Sequence, residues 1–205
     1  MGYYVRVLST SSECVPLQDL RDILESRNLV ARLDCTVDEN GNWTDLVAFN
    51  SDDLEVTYLE RNTVEHDSLG AEELAEFAES VGDYKPDSAV NWLLQTFKHI
   101  KTIYAFQILG GTYDENGWEV VDALRDCIIA QAPSINQADD EGFTNFHGDN
   151  ILWQFADDVK DLCSLAVLKE DKWYQFEINL ENIEHRTAFL DGKVPDGVEA
   201  VIVQE

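Results

Sequence analysis

Four histidines (His66, His99, His147 and His185) and four cysteines (Cys14, Cys35, Cys127 and Cys163) are the side chains best suited to ligate a metal or act as nucleophile and base. Their spacing argues against both roles. There is no His-x-x-x-His or His-Glu-x-x-His, the patterns that set two imidazoles on one helix face. There is no Cys-x-x-Cys, so paired zinc ligands are missing and no metal site is expected. A Gly-x-Ser-x-Gly elbow, a phosphate loop and a dinucleotide fingerprint are absent too. One clustering remains. His147-Gly148-Asp149 follows Asp139, Asp140 and Glu141. An imidazole and carboxylates this close in sequence could share a proton or a cation, which makes His147 and Asp149 the candidate cleft site of an enzyme. The plainer reading is a hairpin turn with solvated polar side chains. No residue is assigned a catalytic role, and no cofactor is expected.

Two further patterns fail on inspection. Asp38, Asn40 and Asn42 hint at a calcium loop, but the glycine at its sixth position and the glutamate at its twelfth are missing. Gly110-Gly111 sits between a strand and a helix, where phosphate can bind, but Asp114 and Glu115 follow and oppose an anion. Cys14, in a polar connector, is expected to be the accessible thiol. It would act as a nucleophile only with a histidine beside it in space.

Charge is the strongest compositional signal. There are 41 acidic residues against 14 lysines and arginines, a net charge of −27. Such a surface repels nucleic acid and anionic membrane and attracts a basic protein. The densest stretch runs from Asp52 to Asp83, with eleven acids against the single Arg61. Within it, Glu72, Glu73, Glu76 and Glu79 fall off the apolar stripe of an expected helix and form an acidic ridge. Such a run is commonly no more than a solvated face. The sharper reading is a docking surface for a basic partner. Dispersed cysteines fit a reduced, cytoplasmic protein. No apolar run approaches the roughly 18 residues a membrane span needs, and the N-terminus lacks the pattern of a signal peptide.

The elements that must carry these residues follow from periodicity. Ile103 to Leu109 is nearly all apolar and bounded by Gly110-Gly111, which predicts a buried central strand. Val120, Leu124, Cys127 and Ile128 then share one helix face. A short strand over Ser134 to Ala138 precedes an expected hairpin, with arms Phe143 to His147 and Asn150 to Phe155 about a Gly148-Asp149 turn. The N-terminal part reads the same way. It has a strand at Tyr3 to Leu8 and a helix with Leu17, Leu20 and Leu24 on one face. A strand at Val30 to Val37 follows, with Ala31, Leu33, Cys35 and Val37 facing a core, and then strands at Trp43 to Asn50 and Leu54 to Glu60. Between the two parts lie helices led by Asp67 or Ser68 and by Pro86, the second apolar over most of its surface and so expected to be buried between layers or against a partner chain, as in a homodimer. A short helix over Asp157 to Asp161, a hairpin about Lys169 to Lys172 and a last strand at Val198 to Val203 complete the chain.

The expected class is α+β: mostly antiparallel sheet built from two β-α-β-β (ferredoxin-like) units with a helical pair between them. No linker of proline or serine appears, so one compact domain over 1–205 is expected, with sub-units 1–62 and 101–205 joined by 67–100. The function expected first is an acidic, non-enzymatic binding or inhibitor protein docking a basic protein, for example a toxin-neutralising immunity protein, as monomer or homodimer. The alternatives are a DNA-mimic inhibitor of a nucleic-acid-binding enzyme and an enzyme with a cleft around His147.

Overall fold

A computed structural model describes residues 2–156 and 159–203. It is α+β, with mostly antiparallel sheet and, among the described residues, five α-helices. Two compact units are formed, Met1–Glu72 with Ile100–Ser134, and Glu73–His99 with Ile135–Glu205.

The first unit holds strands β1 (Tyr4–Ser9), β2 (Arg32–Val37), β3 (Trp43–Phe49), β4 (Glu55–Thr63) and β5 (Thr102–Ile108) in the ladder order β2-β3-β4-β5-β1. As expected, the apolar run makes an interior strand. β5 lies between β4 and β1, and Ile103, Tyr104, Ala105, Phe106 and Ile108 are buried along it. Helix α1 (Leu17–Ser26) follows Pro16 and buries Leu20 and Leu24. Helix α4 (Gly117–Ile129) buries Val120, Val121, Leu124, Cys127 and Ile128, the predicted face. The two helices are tied at their polar rims by Arg27 and Asp126, 2.8 Å apart.

The connector from β1 to α1 is fastened carbonyl by carbonyl. Thr102 donates to the carbonyl of Ser11 (2.9 Å), Arg61 to that of Ser12 (2.8 Å), Tyr104 to that of Glu13 (3.2 Å) and Trp43 to that of Val15 (2.7 Å). Three strands therefore hold one loop, and the buried Trp43 indole N–H is satisfied by a carbonyl that would otherwise lose its water.

One strand departs from its sequence pattern. Of the face Ala31, Leu33, Cys35 and Val37, only Leu33 is buried, and Cys35 and Val37 are exposed. β2 closes the ladder at one end, and the alternation of its sequence is not matched by a covering element beyond Leu33. An edge strand gains less burial from the same residues than a central one.

The second unit contains helices α2 (Leu69–Ser80, from Glu73 on) and α3 (Asp87–Thr96), strands β6 (Ser134–Ala138, from Ile135 on), β7 (Gly142–Phe143), β8 (Leu162–Lys169), β9 (Lys172–Asn179) and β10 (Val201–Val203), and helix α5 (Ile183–Leu190). β8 and β9 form the expected hairpin. Glu170 and Asp171 both take positive φ, 49° and 58°, as a tight two-residue turn requires. Leu165, Val167, Phe176, Ile178, Leu180 and Phe189 make a core between this hairpin and α5. The alternation of β9 sets Tyr174, Phe176, Ile178 and Leu180 on one face and predicts Trp173, with Gln175, Glu177 and Asn179, on the solvated other. Trp173 is instead buried, edge-on to Trp92 of α3 at 5.2 Å. The apolar face of α3 is thus used within its own unit, with Ala89, Val90 and Leu93 buried as well.

The hairpin expected over 143–155 does not form as such. Phe143 pairs with Gln137 of β6, and Thr144 and Asn150 make a single bridge. Residues after Asn150 leave the ladder. The last strand is shorter than expected, Val201–Val203. Of the short helix expected over Asp157 to Asp161, residues 157 and 158 lie outside the described residues and 159–161 are not helical. No helix among the described residues is long and apolar enough to cross a membrane.

Candidate functional site

The acidic ridge lies on α2. Its start is fixed by Ser68. The Ser68 hydroxyl donates to the carbonyl of Thr63 (2.7 Å) and accepts the amide N–H groups of Glu65 (3.0 Å) and Ala71 (3.2 Å). A serine cap of this kind satisfies an amide that the first helical turn leaves free. Of the two caps expected, Ser68 does this work; Asp67 takes a left-handed φ of 60° and meets His66 at 2.7 Å. Gly70 is required here, because a Cβ would stand 2.7 Å from the Thr63 carbonyl oxygen.

The ridge residues divide. Glu72, Glu76 and Glu79 are exposed, and their i, i+4, i+7 spacing places them on one stripe. Glu73 sits one position round the helix, half-buried and engaged with a neighbouring group. The helix has no basic residue along its length. Three carboxylates one turn apart, uncompensated on their own helix, make a line of negative potential that a basic surface would neutralise.

His147 and Asp149 have different surroundings. The His147 side chain is exposed; its backbone N–H donates to the Asn145 side-chain oxygen at 2.9 Å. The Asp149 carboxylate is buried, 2% exposed, and its two oxygens accept from Ser164 (3.0 Å) and the Asn145 amide (3.1 Å). Gln175 donates in turn to Ser164 at 3.5 Å. This carboxylate joins a loop to β8 within a buried polar network, in which satisfied members rigidify one another.

Burial acts on three of the thiols. Burial raises the Cys14 pKa above the ordinary value, with the Arg61 guanidinium pulling in the opposite direction. Burial likewise raises Cys127 and Cys163. Cys14 is half-buried and within 3.8 Å of the Trp43 carbonyl, so the connector does not present it freely. Cys35, placed by its alternation on a core face, is the exposed cysteine.

The two loops considered for ions are closed by their own chain. The Asp38 carboxylate accepts the amide N–H groups of Asn42 (2.9 Å) and Asn40 (2.8 Å), and these bonds, the Asn42 amide first, hold its pKa below the usual carboxylate range. Gly110–Tyr113 is a 3-10 turn pressed on β4, where a Cβ at Gly111 would lie 2.7 Å from the Glu55 carbonyl oxygen. No group of three or more His, Cys, Asp or Glu among the described residues is arranged to hold a metal ion.

No protein-family model matches the chain, no curated protein matches it, and no solved structure matches it.

Proposed function

We propose that the protein is a non-enzymatic binder that docks a basic protein through its exposed carboxylates, with the Glu72, Glu76 and Glu79 stripe of α2 as the docking face. The supporting observation is the stripe itself, three exposed acids at helical spacing on a helix with no basic residue, in a chain of net charge −27. Each such carboxylate raises the encounter rate with a cationic surface and, once desolvated against an arginine, adds specificity. The most concrete form is an immunity protein that neutralises a basic toxin. The same carboxylates would imitate phosphate if the partner were a nucleic-acid-binding enzyme. We also read β1-α1-β2-β3 and β5-α4-β6-β7, which share one element order, as two ferredoxin-like units.

The test is capture of a partner from the lysate of the source organism at low salt, release by a salt gradient, and identification by mass spectrometry. A single basic protein, released by salt and not captured by Glu72→Lys/Glu76→Lys/Glu79→Lys, supports the reading. Equal capture by the triple variant removes the α2 stripe from it.

A further inference from the structure

The first unit carries an aromatic surface that its core does not use. Tyr113 is 74% exposed and Trp118 37%, and their rings meet edge to face at 6.4 Å. Leu54, 45% exposed, belongs to the turn against which the Gly110–Tyr113 segment is pressed. The platform beneath them is rigid for stated reasons. The Thr112 hydroxyl donates to the Val56 carbonyl at 2.5 Å, and the Leu109 amide donates to the same oxygen at 2.9 Å. A Cβ at Gly117 would come within 2.4 Å of the carbonyl oxygens of Gly111 and Thr112, so the 3-10 turn and the start of α4 are in direct backbone contact. Glycine is needed at 111 and 117 to bring three backbones together, and that closeness leaves Tyr113 and Trp118 no interior to enter.

The chain segments around these rings are acidic. The two segments that meet here, 50–56 and 109–119, contain Asp52, Asp53, Glu55, Asp114, Glu115 and Glu119, all exposed, and no lysine or arginine. Asp53 is already paired with Arg32 at 2.6 Å. Acids at the start of α4 favour its dipole, which accounts for Glu119 but not for Asp52 or Glu55 on the neighbouring turn.

We infer that Leu54, Tyr113 and Trp118 form an anchoring site for a basic, arginine-bearing segment of a partner protein. A guanidinium stacks on an aromatic face while flanking carboxylates take its hydrogen bonds, and aliphatic side chains of the same segment fill the space by Leu54. Aromatic residues held rigidly by their backbone lose little freedom on binding, which suits them as anchors. The charge selects this occupant over others: a second copy of the chain would bring six like charges to the same place, and an anionic membrane would be repelled. This inference rests on the reading of the protein as a binder of basic partners. It adds a second contact, on a different element from α2.

The experiment is calorimetric titration of the full chain with a peptide alternating arginine and leucine, and with a charge-matched peptide alternating arginine and glycine. The arginine–leucine peptide is expected to bind more tightly. Tyr113→Ala/Trp118→Ala is expected to weaken it about tenfold, and Tyr113→Phe/Trp118→Phe to retain most of the affinity. Should the double alanine variant fail to fold by circular dichroism, Leu54→Ser replaces it, with weakened binding again expected. Unchanged affinity in the aromatic variant overturns the anchoring site while leaving the acidic-binder reading intact. Failure of both peptides to bind at low salt overturns both.

Discussion

Asn50 and Asn145 do the same thing at two places in the chain. The side-chain oxygen of Asn50 accepts the amide N–H groups of Asp52 and Leu54, each at 3.0 Å, and that of Asn145 accepts those of His147 and Asp149 at 2.9 and 3.0 Å. Each asparagine also donates its own amide to the carbonyl four residues on, at 3.0 and 2.9 Å. The fourth residue of each loop, Asp53 or Gly148, takes a positive φ. Asp38 builds a third loop of this form with Asn40, Gly41 and Asn42. A short polar side chain thus replaces the backbone partner that a turn would otherwise lack.

Because Asn50 and Asn145 are buried and each satisfies several amides, Asn50→Ala and Asn145→Ala should each cost about 2–4 kcal/mol in urea denaturation. His147→Ala should stay within about 0.5 kcal/mol, since only its backbone is engaged. A large loss on His147→Ala would show that its side chain has a role the loop does not explain.

Tyr104 should govern part of the alkaline stability. Burial raises its pKa, with Arg61 pulling it part of the way back. The folded state then holds the proton to higher pH than the unfolded chain. Its contribution is complete below the unfolded value of about 10 and is lost as pH rises through the folded value. Tyr104→Phe should flatten the fall of stability above about pH 10 and cost about 1 kcal/mol at neutral pH through the lost bond to Glu13. Parallel pH profiles for wild type and variant would contradict this.

Thiol labelling should rank the cysteines. Iodoacetamide at neutral pH is expected to modify exposed Cys35 first, with Cys14, Cys127 and Cys163 slow, because burial keeps their thiols protonated. Peptide mass mapping over time reads the order. Fast labelling of Cys14 would mean that the Ser11–Val15 connector opens readily.

The β8–β9 turn offers a stabilising change. Glu170 and Asp171 both occupy the left-handed region, at a cost that asparagine and glycine avoid. Glu170→Asn/Asp171→Gly should raise stability by about 1 kcal/mol, read as a higher denaturation midpoint at unchanged slope. A lower midpoint would show that the two acidic side chains hold the turn.

The long-period patterns of the chain were readable from sequence. The central strand β5, the buried face of α4, a cap at Asp67 or Ser68 and the β8–β9 hairpin follow from apolar spacing and turn chemistry. Two misreadings share a cause. Cys35 was placed in the core and Trp173 in solvent because alternation reports which residues share a face, not whether anything covers that face. The Gly148-Asp149 turn suggested a hairpin, but Asn145 satisfies the local amides itself and the second arm pairs only through the isolated bridges of Asn150 to Thr144 and to Leu165. On the ridge, spacing grouped Glu73 with its neighbours, while the fold half-buries it. Tyr113 and Trp118 gave a weak signal, two aromatics in an acidic loop between Gly110-Gly111 and the first turn of α4. Their exposure depends on backbone contacts with residues far away in sequence, such as Thr112 to Val56 across 56 positions, which no local pattern reports.

The most direct test of the acidic-binder account places wild type and Glu72→Lys/Glu76→Lys/Glu79→Lys side by side as immobilised baits, with the captured proteins eluted along a salt gradient. The account predicts one basic protein held by the wild type, released as salt rises, and missing from the triple variant. Retention of the same protein by both baits, or release that does not depend on salt, would contradict it.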